Sequence, residues 1–183
     1  MKELETSALT AARRLLGSVL ERNIAGKVIR SRIIETEAYD ESDAASHSYN
    51  GKTYRNEVMF GPAGHAYVYF TYGMHYCCNV VTGKAGEGSA VLIRAIEIVS
   101  GEEYSLRHKL GPEMTNGPAK LCEALGIDLK MNGHDLTKTP LRIILKKPIL
   151  DENITQTTRV GIKKAVDAPY RFYITDSLAV SRR

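Results

Sequence analysis

Long apolar runs are missing from this chain of 183 residues. No stretch of about 18 or more apolar side chains occurs, so no membrane-spanning helix is expected. The opening "MKELETSALTAARRLLGSVL" is charged and then amphipathic, without the apolar segment of a signal peptide. Cysteine is scarce. Cys77, Cys78 and Cys122 are odd in number and two are adjacent, which points to reduced thiols inside a cell rather than to disulfides. Neither C-x-x-C nor H-x-x-x-H spacing is present, so no structural metal is expected. Internal repeats, low-complexity stretches and linker-like segments are absent too. Residues 1–183 therefore read as one domain, long enough to bury a substantial core.

What is present is ordinary in bulk and uneven in detail. Hydrophobic residues make up 43% and charged residues 25%, as in a globular protein. The net charge of +4 permits a nucleic-acid partner without requiring one. On composition alone, a solvated basic surface is the simpler reading.

Residues 6–20 space Leu9, Ala12, Leu16 and Val19 as one face of a helix, with Thr6 or Ser7 as its N-cap. "KVIRSRIIETEAY" reads as a strand. Strict alternation would put Ile34, Thr36 and Ala38 on one face and Ile33, Glu35, Glu37 and Tyr39 on the other. "AYVYFTY" and "HYCCNVVTG" form a hairpin with "YGM" at its tip. "SAVLIRAIEI", "LRIILKK" and "RFYIT" are further strands. "NGPAKLCEALGI" is a helix, with Pro118 near its start and Gly126 past its end. The expected fold class is α+β, with a curved, mainly antiparallel sheet flanked by helices and a protruding β-hairpin.

Arg94 is the most informative position. It lies mid-strand in "VLIRAIE", between Leu92 and Ile96 on its own face. A buried guanidinium cannot escape by losing its proton, so a carboxylate is required beside it. Glu35 and Glu37 are strand-borne candidates. They belong to "IIETEAYDESDAASHS", which carries five acids between Glu35 and Asp43. One reading is a structural ion pair. The other is a catalytic carboxylate kept ionised by the arginine. Tyr39, Tyr69 and His47 can wall a pocket for a flat aromatic ligand above Glu37. Tyr72, beside a glycine at the tip, suits a wedge next to a base taken out of a duplex.

These residues carry a resemblance. "LLGSVL", "IIETEAYDESDAASHS", "RNEVMFGPAGHAYVYFTYGMHYCCNVV", "VLIRAIE", "NGPAKLCEALGI", "RVGI" and "PYRFYI" resemble, in order, the alkyladenine (3-methyladenine) DNA glycosylase family. The resemblance implies a monofunctional glycosylase that flips a damaged purine from double-stranded DNA and hydrolyses its N-glycosidic bond. It implies that Glu37 activates the water, with Arg94 and the backbone carbonyl of Val160 as further water ligands. Tyr39, His47 and Tyr69 would stack around the base. Asn79 would screen out guanine through its 2-amino group. Tyr72 would enter the minor groove, with Met74 and His75 at the same tip. His75 stands where mammalian members carry tyrosine, and "SGEEYSLRHKLGPEMTNGP" is shorter than its mammalian counterpart.

The residue types suit that chemistry. An anion near C1′ stabilises an oxocarbenium-like transition state. Tyrosine faces favour cationic or electron-poor purines. No lysine stands within "ETEAY" or "VLIRAIE", so an imine-forming lyase is not suggested. Lys120, after "NGP", can reach a DNA phosphate, and Arg107, His108 and Lys109 form a basic cluster. Glu35 reads as an anchoring acid, and Asp40, Glu41 and Asp43 as a solvated loop, with Asp43 alternatively shaping it. Arg182 and Arg183 read as a frayed end. No cofactor, no membrane and a monomeric state are expected. The alternative is a non-catalytic binder of damaged or single-stranded nucleic acid, stacking bases on Tyr39 and Tyr69. A hydrolase built on Glu, His and Cys is a weaker third, since neither adjacent cysteine has a basic neighbour.

Overall fold

A computed structural model describes residues 1–107 and 111–182. His108, Lys109 and Arg183 lie outside the described residues. The chain forms α1 (Ala8–Leu15), β1 (Val19–Ile24), β2 (Lys27–Tyr39), β3 (Ala66–Thr71), β4 (His75–Val81), β5 (Ala90–Ser100), α2 (Pro118–Leu125), β6 (Leu141–Ile144), β7 (Ile154–Thr157) and β8 (Arg171–Ile174). The strands make one antiparallel sheet in the order β3-β4-β5-β2-β1-β6, with β7 and β8 attached through β2. The expected α+β class with a curved antiparallel sheet is what forms.

The sheet has two unlike faces. One packs on both helices in a single core, where Ala12 and Leu15 of α1 and Leu121 and Leu125 of α2 meet Ile33, Val68, Val91 and Ile93. Each fully buried leucine there contributes about 2 kcal/mol by removal from water. The opposite face carries Glu37, Tyr67, Tyr69, Asn79 and Arg94 along a cavity. Cys77 also lines this cavity and Cys78 lies in the core, so the adjacent thiols point to opposite faces as alternation requires.

Two expectations need correction. The helix expected over residues 6–20 ends at Leu15, and Val19 opens β1. Ser7 caps its start by accepting from the Thr10 N–H. Gly17 stops it, at φ +76° and with a Cβ position that would meet the Ile149 side chain at 2.8 Å. Strict alternation along β2 and β5 also fails. Ile33 pairs with Ile96, Glu35 with Ala95 and Thr36 with Ile93. Ile34 is therefore an extra residue on β2 and Arg94 an extra residue on β5, forming two adjacent bulges. Ile33 and Ala38 both join the main core, whereas Ile34 packs with Ala95 and Ala179 on the other face. Ile96 likewise joins the core rather than sharing the face of Arg94. The bulges bring Glu35, Glu37 and Arg94 together.

Candidate active site

Glu37 is completely buried, and three groups among the described residues donate hydrogen bonds to its carboxylate. Oε1 accepts from the Val160 backbone N–H at 2.8 Å. Oε2 accepts from the Tyr39 hydroxyl at 2.8 Å and from Arg94 Nη1 at 3.3 Å. A carboxylate offers about four lone-pair positions. Among the described residues three are taken, and the open one is on Oε1 beside Val160.

Glu35 shares Arg94, with its Oε1 3.3 Å from Nε. It is otherwise committed to structure. Arg171 Nη1 donates to it at 2.9 Å, and the Ser181 N–H and hydroxyl donate at 2.7 and 2.9 Å. Glu37 lines the cavity and Glu35 does not. The two carboxylates and the two arginines balance in charge, as buried ions must.

The cavity above Glu37 has a volume of about 700 Å³. Its walls are aromatic. His47 meets the Tyr69 ring edge-on with centroids 4.6 Å apart, and its Nδ1 lies 2.9 Å from the Tyr67 hydroxyl. Burial, helped by the Arg55 charge, holds the His47 imidazole below its ordinary pKa. A neutral ring is then the resting form, able to accept from Tyr67. Burial raises the Tyr39 and Tyr69 phenols well above their usual range and pushes Tyr67 up to about 12. Asn79 donates its amide to the Tyr67 carbonyl at 2.9 Å. Burial also raises the Cys77 thiol, the reverse of what a nucleophilic cysteine needs.

Beside the cavity the β3–β4 hairpin ends in Tyr72, Gly73 and Met74, after Thr71 pairs with His75. Tyr72 is 82% exposed and Met74 70% exposed. Tyr72 adopts φ +51°. Left-handed backbone costs a non-glycine residue about 1–2 kcal/mol. Packing does not account for that conformation, since most of the Tyr72 surface is exposed.

A family model described as Methylpurine-DNA glycosylase (MPG) matches residues 2–178. The chain belongs to the methylpurine-DNA glycosylase family. Similar proteins span nearly its whole length. One from Carboxydothermus hydrogenoformans is 53% identical over 179 residues, covering 96% of this chain and 94% of its own. One from Methanoculleus marisnigri is 48% identical, covering 98% of this chain and 96% of its own. One from Francisella tularensis is 46% identical with the same coverage. Each bears the name "Putative 3-methyladenine DNA glycosylase".

Within this member of the family, Glu37, Arg94, Val160, Tyr39, His47, Tyr69, Asn79 and Tyr72 all border the one cavity. Met74 and His75 sit at its neighbouring tip. Lys120 is engaged with Asn116 Oδ1 at 2.6 Å near the start of α2. Arg107 is paired with Glu123.

Arg159 carries no signal of its role in the sequence. Its buried guanidinium pairs with Asp43 and donates to the Ala38 carbonyl at 3.0 Å. It also lies 4.6 Å from the Tyr39 ring centroid and 5.1 Å from that of Tyr170. Burial pulls its pKa down, but the Asp43 carboxylate outweighs burial and holds it above its ordinary value. Asp43 is thus a buried anchor, not part of a solvated loop. Arg159 directly precedes Val160, so this pair sets the backbone N–H that reaches Glu37. Lys163 and Lys164 also line the cavity and are exposed. Their only sequence signal is a basic dipeptide after "RVGI".

Proposed function

We propose that this chain is a base-excision repair glycosylase that takes an alkylated or deaminated purine out of double-stranded DNA and hydrolyses its N-glycosidic bond, leaving an abasic site. The substrates are of the 3-methyladenine, 7-methylguanine, hypoxanthine and ethenoadenine class. It acts monofunctionally, as a monomer of one domain, on chromosomal DNA and without a cofactor. The observation that carries this reading is Glu37, a buried carboxylate with one lone-pair position left free by the described residues, at the floor of a tyrosine-walled cavity.

Tyr72 enters the minor groove and fills the gap left by the flipped nucleotide. Met74 and His75 follow the groove, and Lys120, Lys163 and Lys164 meet phosphates. Flipping costs a few kcal/mol, least at damaged or mismatched pairs. Tyr39, His47 and Tyr69 enclose the base, and Asn79 screens against the guanine 2-amino group. Arg94 and the Val160 N–H hold the Glu37 carboxylate in place and orient it. Water held at Oε1, with the Val160 carbonyl as a further ligand, attacks C1′ as the bond from C1′ to the base nitrogen breaks. The electron pair of that bond leaves with the base, and the water proton passes to Glu37. A cationic base departs neutral, whereas a neutral base such as hypoxanthine takes up a proton as it leaves. The negative charge of Glu37 meanwhile stabilises the positive charge developing on the sugar.

The test is single-turnover excision on duplexes carrying hypoxanthine, ethenoadenine or 7-methylguanine. Glu37→Gln should retain lesion binding and lose cleavage. Wild-type protein that releases no base from any of these duplexes would overturn the reading. Cleavage by Glu37→Gln at the wild-type rate would remove Glu37 from the chemistry.

A further inference from the structure

The C-terminal tail reaches the back of the catalytic carboxylate. Residues 177–181 follow β8 and fold over the bulged part of β2 and β5. Ser177 donates to Glu97 at 2.5 Å and Ala179 packs against Ile34 and Ala95. The chain then delivers Ser181 to the arginine. The Ser181 hydroxyl accepts from Arg94 Nε at 3.3 Å and from Nη2 at 3.2 Å. The same hydroxyl donates to Glu35 Oε1 at 2.9 Å, and the Ser181 N–H donates to Glu35 Oε2 at 2.7 Å. Arg171 secures the next residue by donating to the Arg182 carbonyl at 2.7 Å.

This leaves Arg94 with one nitrogen for the reaction. Nη1 goes to Glu37, while Nε and Nη2 are held from behind. A guanidinium is a rigid planar fork, so fixing two of its nitrogens fixes the direction of the third. Glu35 alone does not supply this, because its closest approach to Arg94 is at Nε, 3.3 Å from Oε1. The hydroxyl is the group that reaches both rear nitrogens.

We propose that the tail is part of the working site, with Ser181 as a positioning residue that aims Arg94 at Glu37. The proposal rests on the glycosylase reading above. Ser181 touches no reacting atom. It acts by limiting where the Arg94 charge can sit.

The experiment compares wild-type protein, Ser181→Ala and Ser181→Thr in single-turnover excision on one lesion duplex, with Glu37→Gln as the inactive reference. The maximal rate of Ser181→Ala should fall about 10- to 100-fold, the scale expected when a catalytic group is misplaced by about 1 Å. The protein concentration giving half the maximal rate should stay within about two-fold, because no DNA contact is removed. Ser181→Thr, which keeps the hydroxyl, should recover most of the rate. A chain ending at Val180 should lose rate as Ser181→Ala does. The proposal is overturned if Ser181→Ala or the shortened chain keeps the wild-type maximal rate, if the loss lies in half-saturation alone, or if threonine rescues nothing. Wild-type protein without activity would instead refute the glycosylase reading itself.

Discussion

Replacing Asp43 by asparagine changes one atom and should disturb both loops that frame the cavity. Asp43 and Arg159 are side chains with 1% and 0% exposure, so water cannot compensate for a lost charge. Both Asp43 oxygens are in use. Oδ2 accepts from Arg159 Nη1, and Oδ1 accepts from Arg159 Nη2 at 2.9 Å and from the Ala45 N–H at 3.0 Å. Asparagine keeps one of these acceptors and turns an NH₂ donor towards a guanidinium that can only donate. Breaking a buried ion pair typically costs about 3–5 kcal/mol. The lower end applies here, about 3 kcal/mol, because Arg159 keeps the Ala38 carbonyl and two tyrosine faces. For a chain of this size 1 kcal/mol corresponds to about 2–4 °C, so Tm should fall by about 6–12 °C. Thermal unfolding followed by circular dichroism measures this directly. Excision should fall as well at temperatures where the variant is folded, since Arg159 precedes the Val160 N–H that holds Glu37. A Tm within about 2 °C of wild type, less than 1 kcal/mol, would refute the energetic reasoning. An unchanged maximal excision rate in a destabilised variant would refute the coupling to Val160.

Tyr72→Ala should weaken single-turnover excision more than it weakens binding to undamaged duplex, because it removes the wedge and leaves the cationic contacts. Equal losses in the two assays would assign Tyr72 to general DNA binding. His47 gives a pH dependence whose sign can be worked out. Its imidazole is held below the ordinary value of about 6.5, so on acidification the unfolded chain binds its proton first. The stability it contributes is complete above about pH 6.5 and is lost as pH falls towards the lower folded value. Tm measured between about pH 7.5 and about pH 5.5 should fall more for wild type than for His47→Gln, and identical slopes would contradict this. Lys163→Ala and Lys164→Ala should each reduce the salt dependence of DNA binding by about one phosphate contact. A slope unchanged in the double variant would place both lysines away from the backbone.

The sequence disclosed most where local pattern and structure share one period. β2 runs from Lys27 to Tyr39 as expected, and α2 starts at Pro118 and ends before Gly126. The exposed hairpin tip also follows from "YGM" between two aromatic strands. The end of α1 was obscured because Leu16 and Val19 continue a helical spacing that the φ of Gly17 ends. β7 was missed, since four residues with little burial carry no strong alternation. Arg159 could not be paired from the sequence, because its partner Asp43 lies 116 positions away. Glu35 and Glu37 share a face, and alternation could not choose between them. Resemblance chose Glu37, and the geometry separates the two on other grounds, since the cavity reaches Glu37 while Arg171 and Ser181 enclose Glu35.

The two bulges have a consequence for how this region can vary. They cancel. Pairing is in step at Ile33 with Ile96, displaced at Glu35 with Ala95, and back in step from Thr36 with Ile93 to Tyr39 with Ala90. The pair behaves like a frameshift and its suppressor. Deleting Ile34 alone would leave the Arg94 bulge uncompensated, and a ladder that then closed without a bulge would slip β2 by one residue against β5. Deleting Ile34 together with Arg94 would restore the pairing but remove the arginine. The site is therefore written into the sheet as a two-residue detour that has to be inherited whole.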